Sequence, residues 1–319
     1  MSELLVSVVI PTFERPDTLF QVLDALAAQQ AAPAFEVVVV DDGSKDDTAP
    51  RLQDYQPAYP LRVLTQENGG PASARNRGVR EARGRVILFL GDDTVPESNL
   101  LAVHAATQSE DRPHSIAVLG YTTWPRGRRV SPFLHHINEY GLQFGYALID
   151  DPESVPFNFF YTSNISVPRA LLLEEGLFDT TFPHAAWEDI EIAYRLVRRG
   201  MRIVYRADAV ARHHHAITFA SFRRRQEKAG ESAAIFYGKH PELGDFLAVP
   251  QALRFRDSAP LARALLAGWA SLAERAPVPG ARRAIDRVLR DDYLRGLKRG
   301  LAADAGLDGS AGVSLSGIR

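Results

Sequence analysis

The chain contains no cysteine. A disulfide scaffold, thiolate catalysis and cysteine-ligated metal sites are therefore excluded. No apolar run approaches the roughly 18 residues that suggest a spanning helix. The N-terminus leads from Glu3 straight into the apolar run 6–10, without the basic stretch and cleavage site of a signal peptide. A cytoplasmic protein is expected, with peripheral contact at the inner face of the plasma membrane left open. An excess of one charge is lacking too: 37 Lys and Arg stand against 39 Asp and Glu, for a formal charge of -2. No global basic field exists to hold nucleic acid, and no nucleic-acid partner is expected. There is no internal repeat, no Gly-Lys-Ser/Thr loop and no Gly-x-Gly-x-x-Gly loop.

What is present is 319 residues with 45% hydrophobic content, enough for one large domain or a domain with an appendage. Short runs rich in Val, Ile and Leu lie at 6–10, 36–40, 61–64, 86–90 and 116–119. Such runs fit strands buried on both faces. Between them, 17–30, 47–55, 72–82 and 97–107 have helical composition. The alternation predicts a Rossmann-like, mainly parallel sheet with helices on both faces, whose ligands bind beyond the carboxyl ends of the strands. Residues 120–160 mix aromatics with Pro and Gly and have no clean period. An irregular cover on the acceptor side of a site and a peripheral packing layer both fit. Further on, 190–199, 219–237, 261–275 and 281–300 read as helices and 202–205 as a strand, while 303–319 has the composition of a flexible tail.

Five polar clusters carry chemistry. Asp41, Asp42, Gly43 and Ser44 follow the strand at 37–40. Carboxylates there can accept hydrogen bonds from ribose hydroxyls or a base N–H, though a turn plus helix cap accounts for them equally well. Gly91, Asp92 and Asp93 follow the strand at 86–90. Adjacent carboxylates repel each other, and Mg²⁺ or Mn²⁺ bridging to phosphate would relieve this; a solvated turn is the plain alternative. Asn68, Gly69 and Gly70 precede a helix bearing Arg75 and Arg77, which suits an anion. Trp187, Glu188 and Asp189 open another helix, whose dipole stabilises carboxylates; such a group can also serve as general base. His213, His214 and His215 follow an apolar stretch, where imidazoles can join a metal site.

Seven segments, in order, resemble the inverting glycosyltransferases of family 2, which have the GT-A fold. They are SVVIPTFERPDTL at 7–19, VVVVDDGSKDDT at 37–48, NGGPASARNRG at 68–78, ILFLGDDTVP at 87–96, TSNISVPR at 162–169, FDTTFPHAAWEDIEIAYRLVRRG at 178–200 and AVARHHH at 209–215. The resemblance spans roughly residues 5–240. It implies an α/β domain of the GT-A type over 1–240, with a nucleotide half at 1–119 and an acceptor half at 120–240. A helical extension at 241–302 would follow. By the same resemblance, Pro11, Thr12, Glu14, Asp41 and Asp42 line the nucleoside pocket and Arg75 sits near the nucleotide. Asp93 binds Mn²⁺ or Mg²⁺, with Asp92 supporting it or contacting ribose, and His213, or else His215, lies on the metal side. Asp189 is the catalytic base beside Glu188. Apart from the resemblance, Trp187 adjoins that base in sequence, and its ring can offer a stacking face to the acceptor sugar.

The implied reaction is metal-assisted single displacement from a nucleoside-diphosphate sugar to a hydroxyl of a glycan or lipid-linked acceptor, in cell-envelope polysaccharide or glycolipid synthesis. Gly91 departs from the pattern, since many members carry an acid there. A sugar nucleotidyltransferase would want a Gly-rich basic loop where 11–16 stands without one. A degenerate binding subunit is opposed by the joint presence of Asp42, Asp93 and Asp189. Residues 241–302 have no counterpart in the resemblance. Packing or homodimerisation is favoured over membrane contact there, because 261–273 has an apolar face without a basic excess.

Overall fold

The strands form where β-branched and aliphatic residues follow one another without a polar break, because both faces of the sheet are covered. In the computed structural model, which describes residues 6–109, 115–257 and 259–307, the first four are β1 (Val6–Thr12), β2 (Phe35–Asp41), β3 (Leu61–Thr65) and β4 (Val86–Leu90). Then come β5 (Thr94–Pro96), β6 (Ile116–Thr123), β7 (Asn164–Pro168) and β8 (Arg202–His213). They make one sheet in the order β3-β2-β1-β4-β7-β6-β8-β5. The expected parallel core is there: β1 pairs β2 and β4, and β2 pairs β3, all parallel. The sheet is nevertheless mixed. β7 enters antiparallel between β4 and β6, and the three-residue β5 closes the far edge antiparallel to β8. Neither β5 nor β7 stands out in the sequence, since each is short and bounded by polar residues.

The helices are α1 (Pro16–Ala27), α2 (Thr48–Asp54), α3 (Gly70–Glu81), α4 (Leu100–Ser109), α5 (Pro132–Glu139), α6 (Arg169–Glu174), α7 (Glu188–Arg198), α8 (Phe219–Lys239), α9 (Val249–Arg254), α10 (Pro260–Ser271) and α11 (Ala281–Leu307). Among the described residues, no helix is long and apolar enough to cross a membrane. The chain divides into two compact units. The first takes the chain up to Val130 together with Ile137–Thr181 and Glu188–Ala216; the second takes Ser131–His136, Phe182–Trp187 and the chain from Ile217. In the second unit, the Arg223 guanidinium donates to both oxygens of Asp292 at 2.7 and 3.2 Å, tying α8 to α11. Of the stretch expected as a tail, α11 includes residues up to Leu307, and 308–319 lie outside the described residues.

One irregularity positions the site. β6 and β8 run parallel from Ile116↔Arg202 to Gly120↔Arg206, then resume at Tyr121↔Val210. Three residues of β8, Ala207 to Ala209, are thus looped out at a bulge, which bends and re-aims a strand. Gly120 permits it: a Cβ there would lie 2.3 Å from Asn164 Nδ2 and 2.5 Å from the Ala209 carbonyl oxygen. Beyond the bulge β8 pairs with β5, setting His213 opposite Thr94.

The same region is braced by a buried histidine. His104, on α4, bonds Ser166 Oγ at 2.9 Å through Nδ1 and Asn164 Oδ1 at 3.0 Å through Nε2. Asn164 Nδ2 in turn donates to the Ala209 carbonyl at 2.9 Å. Because Oδ1 only accepts, Nε2 carries the proton and Nδ1 accepts from the serine hydroxyl. Burial lowers the His104 pKa to about 4, partly opposed by the Asn164 hydrogen bond. The unfolded chain therefore binds this proton first as pH falls, so stability held above about pH 6.5 is lost towards the lowered value. The difference in unfolding free energy between the wild type and His104→Gln, measured by urea denaturation, is expected to shrink by about 2 kcal/mol from pH 7 to pH 5.

Candidate functional site

The carboxyl end of β2 and the start of α3 form one half of the site. Asp42 accepts from the Gly69 amide at 2.9 Å and from Gln66 Nε2 at 2.7 Å on one oxygen, and from the Gly70 amide at 2.8 Å on the other. Its carboxylate thus holds the glycines that lead into α3. Asp41 differs. One oxygen accepts from the Ser44 amide at 3.0 Å, while the other is buried without a hydrogen-bond partner. A buried carboxylate oxygen without a donor is costly, and a base N–H or ribose hydroxyl would satisfy it. Glu14 has a left-handed backbone, φ 52°, and its amide donates to Ser44 Oγ at 2.9 Å. The turns after β1 and β2 are thereby joined, with Pro11 half-buried and Thr12 buried beneath them.

The carboxyl end of β4 holds the other half. Asp92 and Asp93 are both buried. Thr12 Oγ1 donates to Asp92 at 2.9 Å. The Arg15 guanidinium lies 3.4 Å from Asp92 and 2.8 Å from Asp93. Burial, and after it the charge of Asp93, push the Asp92 carboxyl up to about 6 against the pull of Arg15 and Thr12. Asp93 is also raised by burial, but His213, Arg15 and His215 outweigh that and hold its carboxyl well below the usual carboxylate range. Gly91 is explained by space, since a Cβ would lie 2.7 Å from Thr94 Oγ1 and 3.1 Å from Asp93 Oδ1.

β8 delivers the histidines. His213 Nε2 lies 3.5 Å from one Asp93 oxygen and His215 Nδ1 3.5 Å from the other. The His214 amide donates to the Asp93 carbonyl at 2.7 Å. Both of the histidines weighed from sequence therefore face the same carboxylate. The His213 ring stacks on Trp124 at 6.0 Å and on His215 at 5.8 Å, with Phe144 edge-on at 6.2 Å. Its Nδ1 is buried without a hydrogen-bond partner. The aromatic segment at 120–160 thus contributes walls to the histidine pocket. A cleft of about 290 Å³ opens here, lined by Glu14, Arg15, Asp17, Asp93, His214 and His215.

The opening turn of α7 supplies the remaining acids. Glu188 is buried and accepts from Arg75 at 2.8 Å, so two residues expected to serve separately are an ion pair; the other oxygen of Glu188 has no hydrogen-bond partner. Arg75 also lies over the Phe178 ring at 5.6 Å. Asp189 is half-buried, and its charge, after burial and Tyr146, helps raise the Tyr161 phenol well up. Tyr161 packs edge-on against Phe144 at 5.0 Å, next to His213. Glu191 forms a bidentate pair with Arg195 at 2.8 and 2.9 Å, within the helix as its spacing suggests. Trp187 is otherwise engaged than a sugar-stacking role requires. Its indole N–H donates to the Ala229 carbonyl at 2.8 Å, and its ring packs on Phe236 and Phe246 in the second unit. Arg15 went unnoticed in the sequence; the available signal was a lone cation between the end of β1 and the Pro that opens α1.

Comparison with known proteins points to one family. Residues 7–163 match the family model "Glycosyl transferase family 2". A hyaluronan synthase of Pasteurella multocida is 28% identical over 223 residues, 61% of this chain and 23% of that protein. A validoxylamine A glucosyltransferase of Streptomyces hygroscopicus subsp. limoneus is 33% identical over 221 residues, 62% of this chain and 49% of that protein. The chain thus spans about half or less of these relatives' length. Among solved structures, S. aureus TarS in complex with UDP superposes with a TM-score of 0.56 at 19% identity, over 98% of this chain and 95% of that one. A mannosyltransferase from Pyrobaculum calidifontis, in complex with GDP-Man and Mn2+, gives 0.54 at 20%, over 97% and 76%. Residues 7–163, which hold the strand ends and the acid pair described above, are thus a match to glycosyl transferase family 2.

Proposed function

We propose that the chain transfers a sugar from a nucleoside-diphosphate sugar to an acceptor hydroxyl with inversion at the anomeric carbon. The observation that carries this reading is the convergence on Asp93 of an acid partner, a guanidinium and two imidazoles, beside a buried carboxylate oxygen on Asp41 that lacks a donor. Asp41 is the stronger candidate to accept from the nucleoside, and Asp42 to shape the loop through which α3 presents its amides. Pro11, Thr12 and Glu14 border that pocket. Arg75, paired with Glu188, positions the start of α7 next to it.

The residues fit a divalent cation. Asp93 is ionised, and its carboxylate suits Mn²⁺ or Mg²⁺, while an imidazole beside it favours the transition metal Mn²⁺ over Mg²⁺. Among the described residues, no three His, Cys, Asp or Glu gather closely enough to hold a metal by themselves. That suits a cation shared with phosphate oxygens, as Mg²⁺ sites commonly are. Asp93 and His213 would hold it, with His215 beside them and Asp92 in support. When bound, it neutralises charge developing on the departing diphosphate. The chain's own chemistry lies with Asp189. Its carboxylate, at the α7 N-terminus where the helix dipole favours negative charge, takes the proton of the acceptor hydroxyl. The hydroxyl oxygen bonds to the anomeric carbon from the face opposite the diphosphate, and the bond from that carbon to the phosphate oxygen breaks with its electron pair going to the diphosphate. The hyaluronan synthase among the relatives supports polysaccharide synthesis as the setting; a hydroxyl of a glycan or lipid-linked acceptor is the substrate of this proposal.

The proposal is tested by measuring nucleoside diphosphate release from a panel of nucleotide sugars with Mn²⁺ or Mg²⁺; no release from any donor, with suitable glycan acceptors present, would refute it. Asp189→Asn is expected to lower single-turnover transfer by about 10²–10⁴-fold while donor affinity stays near the wild type. Near-normal transfer would remove Asp189 as the base. Arg15→Gln is expected to tighten Mn²⁺ binding in the absence of nucleotide by about tenfold, because it removes an opposite charge that competes for Asp93. Titration calorimetry with Mn²⁺ alone checks this, and unchanged affinity would mean that Arg15 and the cation do not compete.

A further inference from the structure

Helix α10 exposes the residues that a helix ordinarily buries. Leu261, Leu265, Trp269 and, beyond its last residue, Leu272 are 71%, 67%, 47% and 41% exposed. Their spacings of four, four and three place them on one face. The exposed residues between them are Ala262, Ala264 and Gly268, so this face carries no charge. The helix's one ionisable group, Arg263, is half-buried and lies 3.6 Å from Asp257. It lines, with Ala262, Leu266 and the α11 residues Arg287 and Val288, a cleft against α11. Leucines left in water forgo the free energy of burying their apolar surface. A contiguous apolar strip of this kind marks an interaction surface.

Charge selects the occupant. From 249 to 300 the sequence has eleven basic residues against five acidic ones, in a chain whose net charge is -2. α10 alone shows no such excess; its neighbours α9 and α11 supply it. On α11, Arg283, Arg287 and Arg290 are exposed and spaced by four and three, and Arg287, which pairs with Asp291 at 3.0 Å, is the member that meets α10. A second copy would bring the same positive charges against them. A surface of anionic lipid headgroups brings the opposite charge, takes up leucines at its apolar boundary and suits the ring of a tryptophan.

We infer that α10 docks on an anionic membrane surface, its leucines and Trp269 at the headgroup level and the arginines of the adjoining helices against lipid phosphates. This contact is separate from the transfer chemistry proposed above. The test is flotation of the full chain with phosphatidylcholine vesicles, with and without phosphatidylglycerol. Binding to the anionic vesicles, weakened by salt, is expected. Leu261→Ser/Leu265→Ser should lower partitioning by about tenfold or more, with an unchanged thermal midpoint because both residues face water. Arg283→Glu/Arg290→Glu should abolish the preference for anionic over neutral vesicles. No binding to anionic vesicles, or equal binding by the leucine variant, would overturn the inference. So would a dimer in sedimentation equilibrium that is lost in the leucine variant without any vesicle binding, which would assign the strip to a second copy.

Discussion

Two carboxylates side by side at the end of a buried strand repel each other, and the site is organised around that repulsion. Asp92 and Asp93 leave β4 where water is scarce, so their charges must be met by the protein. The load is divided unequally. Asp93 receives Arg15, His213 and His215, whereas Asp92 has a hydroxyl and the same guanidinium nitrogen at the longer distance of 3.4 Å. The two acids thereby titrate apart, one firmly ionised and the other drawn towards neutrality. Divergent environments of this kind are what give neighbouring acids different tasks.

Meeting that charge requires segments far apart in sequence. Arg15 comes from the turn after β1 and the histidines from the end of β8, about two hundred residues later. The bulge opposite Gly120 lets the last residues of β8 leave β6's earlier register and pair with β5, and the network of His104, Asn164 and Ser166 holds the bulge from behind. The bulge and its brace are therefore parts of the site, though none of their residues touches the acids.

The parallel core was legible because runs such as 37–40 and 86–90 are apolar throughout, and the acids after them mark strand ends where α/β sheets bind ligands. Other features were hidden for physical reasons. β5 has three residues, too few for any period to show. The break in β8 reads in sequence as polar interruption at 206–208, indistinguishable from a strand's end. The Arg75–Glu188 pair joins residues 113 positions apart, and only the fold brings them together. The indole of Trp187 stood next to the candidate base in sequence, yet its hydrogen bond runs to Ala229, because backbone adjacency does not set where a side chain goes. In the last helices, judging 261–273 alone concealed a basic neighbourhood contributed by α9 and α11.

The stacking of Trp124 on His213 has an optical consequence. Indole emission depends on its immediate surroundings, and an imidazole quenches it most when it carries a proton. Trp124 is 4% exposed and has His213 against its face, whereas Trp269 is 47% exposed to water. Of the three tryptophans, Trp124 should emit blue-shifted and Trp269 red-shifted, with the half-buried Trp187 between them, so that a variant lacking Trp187 isolates the first. The protein thus carries its own fluorophore at the histidine of interest, through which protonation or ligation of that ring can be followed without an added label.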